Sequence, residues 1–288
     1  MRMFAFGLGY SARRIVRGPA IEASGTVRSA EAAEALRREG VEAFVFDGVH
    51  GDSGLAKVLA QAQAILISVP PEPSGDPVHR AFAREIALAS DLRRILYLST
   101  IGVYGDWGGA WVDEASETRT RTPRGRWRLA AEAQWRALGA ARGIPVDLLR
   151  LAGIYGPGRN ALLKLREGDA RRIVKPGQLF NRVHVDDIAQ VSSLALTRGL
   201  KGQIWNVADD EPTPPQDVVA YAAALLGLPP PPEEPFEEGR LSPMAQEFYA
   251  DNKRVSIAKA KADLRFAPAY PTYREGLKSL AEAGEGQA

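Results

Sequence analysis

The stretch RMFAFGLGYSARRI, residues 2–15, runs an apolar strand directly into glycines and then into a helical pattern. Its segment GLGYSA, residues 7–12, fits the pattern G-x-G-x-x-A. Gly7 permits a tight turn from strand to helix, Gly9 lets a phosphate approach the backbone, and Ala12 is small enough for the helix to pack on the strand. The first amides of such a helix face a bound anion.

The glycine pattern therefore predicts a turn that holds the pyrophosphate of a dinucleotide. The alternative is a turn that needs glycine only for its backbone geometry. The position of the motif, between the first strand and a helix, favours the dinucleotide. The residues of the turn expected to contact the cofactor are Gly7, Gly9, Tyr10, Ser11 and Ala12.

The first two-thirds of the chain alternate short apolar runs with helical patterns. Runs such as AILISV and RILYLS are apolar on both faces, as strands of a parallel sheet covered by helices are. The predicted strands are Met3–Phe6, Ala23–Val27, Ala43–Phe46, Ala64–Val69, Arg94–Ser99 and Val146–Leu151. The predicted helices are Ala12–Arg17, Ala30–Glu39, Gly54–Ala60, Pro77–Ser90 and Pro123–Ala141.

This alternation predicts an α/β fold: a Rossmann-type doubly wound parallel sheet with a smaller C-terminal α/β substrate lobe. We expect residues 1–155 to form the NAD(P)-binding domain, which also recruits segments of 180–210. Residues 156–288 are expected to form the smaller substrate-binding lobe, interleaved with the core.

The C-terminal third carries three local predictions. The helix over residues 185–199 is expected to be capped by Asp186 or Asp187 and to end at Gly199. Thr213 is the predicted N-cap of a later helix, with Pro214 at its first position. Residues 228–239, LPPPPEEPFEEG, are predicted to form a surface connector.

The end of the second predicted strand indicates which dinucleotide binds. An acidic residue about 20 positions after the motif would contact a ribose 2′-hydroxyl. This chain has Arg28 there, 19 residues after Gly9, with Ser29 beside it. A guanidinium next to a hydroxyl suits a 2′-phosphate, so the sequence predicts NADP rather than NAD. The alternative is a solvated surface arginine.

Two further segments are expected to line the cofactor site, because each follows a predicted strand at the carboxyl edge of the sheet. Asp47 in FVFDG could accept a hydrogen bond from the adenine amine or cap the next turn. Val69 and Pro70 in SVPP are predicted wall residues without a chemical role.

Composition excludes several classes of protein. The chain has 288 residues, 45% of them hydrophobic and 25% charged, which is typical of a globular protein of about two domains. A net charge of +2 does not indicate a nucleic-acid partner. The absence of cysteine excludes disulfides and thiolate chemistry, and the three histidines lie far apart without metal-ligand spacing. No apolar run is long enough to span a membrane and no signal peptide is expected, so the sequence predicts a cytoplasmic protein.

Seven motifs occur in the order found in one family: GLGYSA, FVFDG, YLSTIGVYGD, TPRGRWRLAAE, LLRLAGIYGPGRN, NRVHVDDIAQ and QIWNVADDEP. Together they resemble the extended short-chain dehydrogenase/reductases, the NAD-dependent epimerase/dehydratase family, over nearly the whole chain. The resemblance implies a Rossmann core, a nicotinamide cofactor and a hydride-transfer chemistry. It also implies that Ala152 and Gly153 lie near the nicotinamide, where their small size leaves room for the ring.

The family's proton-transfer pair is absent. Members of the family typically have a sequence like P-Y-G-x-S-K at the start of one helix. This chain has PRGRWR there, with Arg124 in place of the tyrosine and Arg128 in place of the lysine. The family's hydroxyl position is kept as Ser99 and Thr100. Arginine does not release a proton near neutral pH, so Arg124 cannot replace the tyrosine as acid or base. The segment RGRWRLAAE, residues 124–132, resembles the atypical branch of the family, which has no agreed reaction.

Two tyrosines are candidate substitutes for the missing proton donor: Tyr104 in VYGD, and Tyr155 in GIYG as a further candidate. Both have the alternative interpretation of wall residues. His184 in VHVDD is expected to support the fold.

The arginines in RTRTPRGRWR, residues 119–128, suggest an anionic ligand, which is a phosphate or carboxylate of a small-molecule substrate or the cofactor's own pyrophosphate. Thr122 and Pro123 read as N-cap and first residue of a helix, so Arg124 and Arg128 lie on one face, which the resemblance turns towards the cofactor cleft. The alternative is a solvated basic helix start that pairs with Asp113, Glu114 or Glu117.

Two functions remain open from the sequence. One is an enzyme of the epimerase/dehydratase type with altered proton-transfer residues, and the other is an NADP-binding sensor or scaffold without catalysis. The resemblance also suggests a homodimer through the long helices, including Pro123–Ala141 with Trp127 and Trp135.

Overall fold

The strands form where aliphatic, aromatic and β-branched residues run between glycine, proline and polar turns. The computed structural model describes residues 1–18, 20–198, 200–237 and 241–287. Within these ranges the strands are β1 (Arg2–Phe6), β2 (Glu22–Val27), β3 (Glu42–Val45), β4 (Ala64–Ile67), β5 (Arg94–Thr100), β6 (Trp111–Val112), β7 (Val146–Leu151), β8 (Gly153–Tyr155), β9 (Arg172–Val174), β10 (Arg182–His184), β11 (Ile204–Val207), β12 (Glu233–Pro235) and β13 (Arg254–Val255). Gly199 as a helix end, and the last two positions of the predicted 228–239 connector, lie outside the described residues.

The helices occupy the segments whose apolar residues recur with helical periodicity. They are α1 (Tyr10–Val16), α2 (Ala30–Arg38), α3 (Leu55–Gln61), α4 (Pro77–Leu88), α5 (Pro123–Arg142), α6 (Ala161–Arg166), α7 (Val185–Thr197), α8 (Pro215–Leu225), α9 (Pro243–Ala250), α10 (Ala258–Leu264) and α11 (Tyr273–Glu282), with one 3₁₀ turn over Ile101–Tyr104. The predicted helices of the first half start and end within two residues of α1 to α5.

Seven strands form one parallel sheet in the order β3-β2-β1-β4-β5-β7-β11, with helices on both sides. The order reverses between the neighbours β1 and β4, which pair from Met3 with Ala64 to Phe6 with Ile67. Every residue of β4 is buried, as expected for a strand covered on both faces. The predicted Rossmann-type doubly wound α/β fold is confirmed. In such sheets ligands bind beyond the carboxyl ends of the strands, where the order reverses.

The chain divides into two compact units. Unit 1 comprises Met1–Val103, Pro123–Arg150 and Ile188–Trp205, and unit 2 comprises Tyr104–Thr122, Leu151–Asp187 and Asn206–Ala288. Whether they correspond to a cofactor domain and a substrate lobe stays a prediction.

Two polar contacts tie the helices of unit 1 to its core. Trp135 on α5 is fully buried and its indole N–H donates to Asp76 Oδ2 at 3.1 Å. Asp76 also caps α4 by accepting the His79 N–H at 2.9 Å. Trp135 therefore packs inside unit 1 and stabilises its core. The homodimer itself stays a prediction.

A buried ion pair joins two neighbouring strands of the sheet. The Arg94 guanidinium on β5 donates to Asp147 Oδ2 on β7, and both side chains are at least nine-tenths buried. Asp147 Oδ1 accepts the indole N–H of Trp205 at 3.0 Å and the Gln203 N–H at 3.1 Å. Burial raises the pKa of Asp147, and Arg94 opposes that shift. The carboxylate thus holds groups from two other chain segments, β5 and residues 203–205.

Asp147→Ala should lower the free energy of unfolding by about 3–5 kcal/mol, because it leaves the Arg94 charge buried without its partner. The matched control is Asp91→Ala, which removes the partner of Arg2 in a pair 3.0 Å apart with both side chains nearly half exposed. Asp91→Ala should lower the free energy of unfolding by only about 0–1 kcal/mol. Urea unfolding measures both, and equal losses would contradict the importance of burial.

Two of the residues predicted as helix caps in unit 2, Asp187 and Thr213, do not act as caps. Asp187 accepts the N–H groups of Ala269 at 2.7 Å and Tyr270 at 3.2 Å, so its carboxylate holds another segment and does not cap α7. Thr213 does not cap α8, which begins at Pro215 with Pro214 in the cap position. Instead the backbone of Thr213 pairs with Phe180 in both directions at 3.0 Å. In both cases a partner distant in sequence outcompetes the local helix end.

Asp209 is a buried carboxyl group in unit 2. It is 3% exposed, and its Oδ2 has no hydrogen-bond partner among the described residues. Burial raises the pKa of Asp209 to about 8, while the nearby Arg182 opposes the shift. Because the folded state binds this proton up to about pH 8 and the unfolded chain releases it near 3.8, stability falls as the pH rises between these values.

Asp209→Asn should remove this pH-dependent loss of stability. The free energy of unfolding of the variant, relative to that of the wild type, should therefore increase from pH 5 to pH 8 by up to about 1.4 kcal/mol per pH unit. Chemical denaturation at several pH values measures the slope. Asp210→Asn is the control, because Asp210 lies at the surface with Lys261 at 2.6 Å, and its slope should follow the wild type. An unchanged slope in Asp209→Asn would show that Asp209 is ionised throughout.

Candidate functional site

The glycine turn follows β1, at the carboxyl edge of the sheet. Gly7 has a φ of +86°, and a Cβ there would lie 3.0 Å from Val69 Cγ2 and 3.4 Å from Val69 N. Its N–H donates to Thr26 Oγ1 at 3.0 Å, and the Leu8 N–H donates to the Thr26 carbonyl at 2.7 Å. Gly7 is therefore required by backbone conformation and by close packing, and Thr26 on β2 holds the turn.

Gly9 differs from Gly7, because the surrounding protein does not require it. Its φ is −86°, and no heavy atom lies within 4 Å of the position that a Cβ would take. The helical ladder of α1 starts with the Arg13 N–H, which donates to the Gly9 carbonyl at 2.9 Å. The amides of Ser11 and Ala12 precede that ladder. Open space beside a glycine at this edge is what a pyrophosphate needs, so these residues fit a bound dinucleotide.

The other residues of the turn have the burial that the motif predicts. Ala12 is fully buried and Ser11 is 7% exposed, which brings α1 close to the sheet. Tyr10 is half-buried at the first position of the helix.

Arg28 lies just after β2, where its side chain is exposed. It makes no hydrogen bond or ion pair with any residue that the structure describes. Ser29 is the N-cap of α2, and its Oγ accepts the Ala32 N–H at 3.2 Å. Arg28 is therefore available to a ligand, whereas Ser29 already has a structural task.

Asp47 caps the turn after β3. Its Oδ1 accepts the N–H groups of Val49 and His50, both at 2.7 Å, and these bonds lower the pKa of Asp47. The capping alternative is what the structure shows, and adenine recognition by Asp47 stays a prediction. Val69 is half-buried against Gly7, and Pro70 is exposed beside it.

The two hydroxyls at the end of β5 have different surroundings. Ser99 is 5% exposed, and its hydroxyl donates to Glu132 Oε1 on α5. Glu132 also accepts two bonds from Arg150, with Nη2 to Oε2 at 2.7 Å. Thr100 is half-buried, and its Oγ1 accepts the Gly102 N–H at 3.1 Å. Since Ser99 is committed to a buried ion pair, Thr100 is the better placed of the two to meet a ligand.

Arg128 contacts the same strand from α5. Its Nη1 donates to the Leu98 carbonyl at 2.8 Å and to the Tyr97 hydroxyl at 3.1 Å. Arg124, one turn earlier on the same helix, is exposed. The arginine that replaces the family lysine thus lies beside the end of β5, next to Ser99 and Thr100.

In unit 2, the two tyrosine candidates are buried. Tyr104 is fully buried and its hydroxyl donates to Asn206 Oδ1 at 2.7 Å, so its role in proton transfer stays a prediction that this enclosure does not favour. Tyr155 is 8% exposed and packs edge-on against His184 at 5.1 Å between ring centres. Burial raises the pKa of Tyr155, which counts against it as an acid near neutral pH.

The small residues after β7 also lie in unit 2. The Ala152 N–H donates to the Val207 carbonyl at 3.0 Å, and the Gly153 N–H donates to the Asn181 carbonyl at 3.0 Å. A Cβ on Gly153 would lie 3.2 Å from that carbonyl oxygen. Packing within unit 2 therefore accounts for Gly153, and its contact with a nicotinamide stays a prediction.

One arginine of the arginine-rich segment pairs with a nearby carboxylate. The side chain of Arg119 donates to Glu117 at 3.0 Å and stacks 3.8 Å over the Trp107 ring. The pairing with Glu117 is what the alternative hypothesis of a solvated basic segment predicts.

Three residues of this site were missed by sequence reasoning: Thr26, Glu132 and Arg150. Glu132 carried a usable signal, because it follows Arg128 by four residues and shares its helix face. Thr26 and Arg150 carried none, since each acts on a segment distant in sequence.

The described residues contain neither a metal-binding cluster nor a membrane-spanning helix. There, no group of three or more His, Asp or Glu side chains is placed to hold a metal ion. No helix in those ranges is both long and apolar enough to cross a membrane.

The family model "NAD dependent epimerase/dehydratase family" matches residues 83–208. The chain is 30% identical over 232 residues to Protein YeeZ of Escherichia coli K12, covering 73% of this chain and 77% of that one. A conserved protein of unknown function from Silicibacter pomeroyi has a solved structure with 44% identity, 99% coverage of both chains and a TM-score of 0.89. The UDP-glucose 4-epimerase of Thermus thermophilus in complex with NAD has 20% identity, 100% coverage of both chains and a TM-score of 0.76. By sequence and fold, this chain belongs to the NAD-dependent epimerase/dehydratase family.

Proposed function

We propose that this protein binds NADP at the Gly7–Ala12 turn and uses it in an oxidoreductase or epimerase-like reaction. The substrate is an anionic or nucleotide-linked small molecule. The observation that carries the proposal is the open space beside Gly9, at the edge of the sheet where the strand order reverses. In a member of this family, that space suits the pyrophosphate of a nicotinamide dinucleotide.

The chain's own residues would divide the binding as follows. The turn holds the pyrophosphate through backbone amides, and Arg28 pairs with the 2′-phosphate of the adenosine ribose. Asp47, Val69 and Pro70 form the wall on the adenine side. Ala152 and Gly153 leave room for the nicotinamide, which supplies hydride acceptance and donation when the cofactor is bound.

The groups at the end of β5 would act on the substrate. Thr100 can donate or accept a hydrogen bond at the reacting oxygen, and Arg128 can stabilise negative charge there without giving up a proton. Arg124, exposed on the same helix, can pair with a phosphate or carboxylate of the substrate. The Glu132–Arg150 pair would keep Ser99 oriented and thereby hold the strand end beside Thr100.

A second function is favoured by one specific observation. Arginine occupies both positions of the family's tyrosine and lysine, and Tyr104 is enclosed. An NADP-binding sensor or scaffold without catalysis would need the cofactor site but no proton donor. A cytoplasmic location and a homodimer remain part of either proposal as the sequence predicts them.

Fluorescence titration of the purified protein with NADPH and NADH tests the shared claim, and absence of binding to both at millimolar excess would refute it. Incubation with a panel of sugar nucleotides and anionic carbonyl compounds then separates the two functions. Loss of NADPH absorbance detects a net reduction, and chromatography of the products detects an epimerisation, which consumes no cofactor. Turnover supports the enzyme, whereas tight binding without turnover across the panel supports the sensor.

Gly9→Ala should weaken NADPH binding by roughly tenfold or more, because the new Cβ enters the space assigned to the pyrophosphate. The fold should tolerate it, since φ is −86° and the Cβ would meet no heavy atom within 4 Å. Titration and urea unfolding measure the two quantities separately. Unchanged affinity in a stable variant would place the pyrophosphate elsewhere.

Arg28→Asp should reverse the cofactor preference, because a carboxylate repels the 2′-phosphate and accepts a hydrogen bond from a ribose 2′-hydroxyl. The ratio of the dissociation constants for NADPH and NADH measures this, and it should change by roughly two orders of magnitude. Arg142→Asp, an equal charge change at the exposed far end of α5, should leave the ratio unchanged. Equal ratios in all three proteins would show Arg28 to be a solvated surface residue.

A further inference from the structure

Two loops of unit 1 carry the residues assigned to the adenine side of the cofactor. The first loop, residues 46–54, joins β3 to α3 and contains Asp47. The second loop, residues 68–76, joins β4 to α4 and contains Val69 and Pro70. Both begin at the carboxyl ends of their strands, and β3 and β4 are not neighbours in the sheet. Sheet pairing alone therefore does not determine the distance between the loops.

Each loop has its own internal bonds. In the first loop, Asp52 Oδ2 accepts the Val45 N–H at 2.8 Å, and Phe46 pairs with Gly51. In the second, Glu72 and Gly75 exchange backbone hydrogen bonds of 3.1 and 2.9 Å across a tight turn. Each loop is therefore ordered by its own bonds, and the contacts that join the two loops help to set their mutual position.

Arg80 on α4 joins the two pieces. Its Nη2 donates to the Gly48 carbonyl of the first loop at 3.1 Å. Its Nη1 donates to Ser74 of the second loop, to Oγ at 2.8 Å and to the carbonyl at 3.2 Å. Glu72 Oε1 lies 3.7 Å from Nη2 and partly balances the charge. One planar guanidinium thus fastens both loops in a fixed geometry, which a single ammonium point charge does not reproduce.

The loops also approach each other at Gly48. Its φ is +105°, and a Cβ there would lie 3.7 Å from Glu72 Oε1 and 3.9 Å from Pro77 Cβ. The Gly48 carbonyl is therefore presented to Arg80 by a backbone conformation that favours glycine.

We infer that Arg80 is a positioning residue for the adenosine half of the cofactor. Arg80 holds the first loop, with Asp47, against the second loop, with Val69 and Pro70, before the ligand arrives. The inference rests on the proposed function, which assigns these residues to the adenine wall. A wall ordered in advance lowers the entropic cost of binding, so loss of the link should weaken binding of the adenosine half specifically.

The test compares Arg80→Ala, Arg80→Lys and Arg84→Ala with the wild type. Arg84 lies one turn further along α4, is exposed and has no hydrogen bond or ion pair among the described residues, so its variant is the matched control for charge. The probes are NADPH, the adenosine fragment 2′,5′-ADP and the nicotinamide fragment NMNH. Arg80→Ala should weaken the binding of NADPH and 2′,5′-ADP by roughly three- to tenfold and leave the binding of NMNH unchanged. Arg84→Ala should change none of them.

Arg80→Lys separates positioning from simple attraction of the phosphate. A lysine keeps the charge but cannot hold both loops in the same fork, so its affinities should resemble those of Arg80→Ala. Wild-type affinity in Arg80→Lys would overturn the inference, as would equal weakening by Arg84→Ala or equal weakening of the nicotinamide fragment.

Amide hydrogen exchange of the ligand-free proteins gives a readout that does not depend on the cofactor. Arg80→Ala should speed exchange in both loops, residues 46–54 and 68–76, and leave β1 and β5 unchanged. Unchanged exchange in both loops would refute the link itself. If the wild type binds none of the probes while the exchange result holds, the proposed function fails and Arg80 remains a link between loops without a ligand to position.

Discussion

The structure depends on one constraint: the chain must reverse from β1 into α1 at a single residue, beside β4. Gly7 meets this constraint with a positive φ, and a side chain there would press on Val69. Thr26 on β2 bonds both the Gly7 and the Leu8 amides, so the neighbouring strand β2 holds the turn. Because β1 lies where the strand order reverses, this turn also creates the open edge beside Gly9. Fold and candidate site therefore share one backbone conformation.

Polar groups buried in unit 1 explain how the end of β5 stays ordered although the family's tyrosine and lysine are absent. Glu132 and Arg150 join α5 to β7, and Ser99 adds the end of β5 to the pair. Arg128 binds the carbonyl of Leu98 on the same strand. Since breaking a buried pair is costly, these contacts hold the helix and the strand together independently of any proton-transfer role. These contacts therefore order the end of β5 in a chain that has arginine at positions 124 and 128.

Local sequence patterns predicted the central sheet well. The strands and helices of the first half lie within two residues of their predicted bounds, because strands buried on both faces and amphipathic helices carry strong periodic signals. The predictions that failed concern single side chains. Asp187 and Thr213 had the residue types and positions of helix caps, yet Ala269, Tyr270 and Phe180 claim them. From the sequence, Trp135 is named only as part of a dimer contact, which stays a prediction, and its full burial and its hydrogen bond to Asp76 come from the tertiary structure.

The sequence by itself determined the fold class and the glycine turn, and it predicts that Arg124 and Arg128 stand in place of the family's tyrosine and lysine. Each is a local property: a periodicity, a spacing or a residue identity. The tertiary structure alone decided that Ser99 is tied to a buried carboxylate, that Tyr104 is enclosed and that Arg80 links two loops. Ser99 and Glu132 are 33 residues apart in the chain, Tyr104 and Asn206 are 102 apart, and Arg80 and Gly48 are 32 apart. Hydrogen bonds over such separations leave no periodic trace, because they depend on how the sheet brings strand ends and helix faces together.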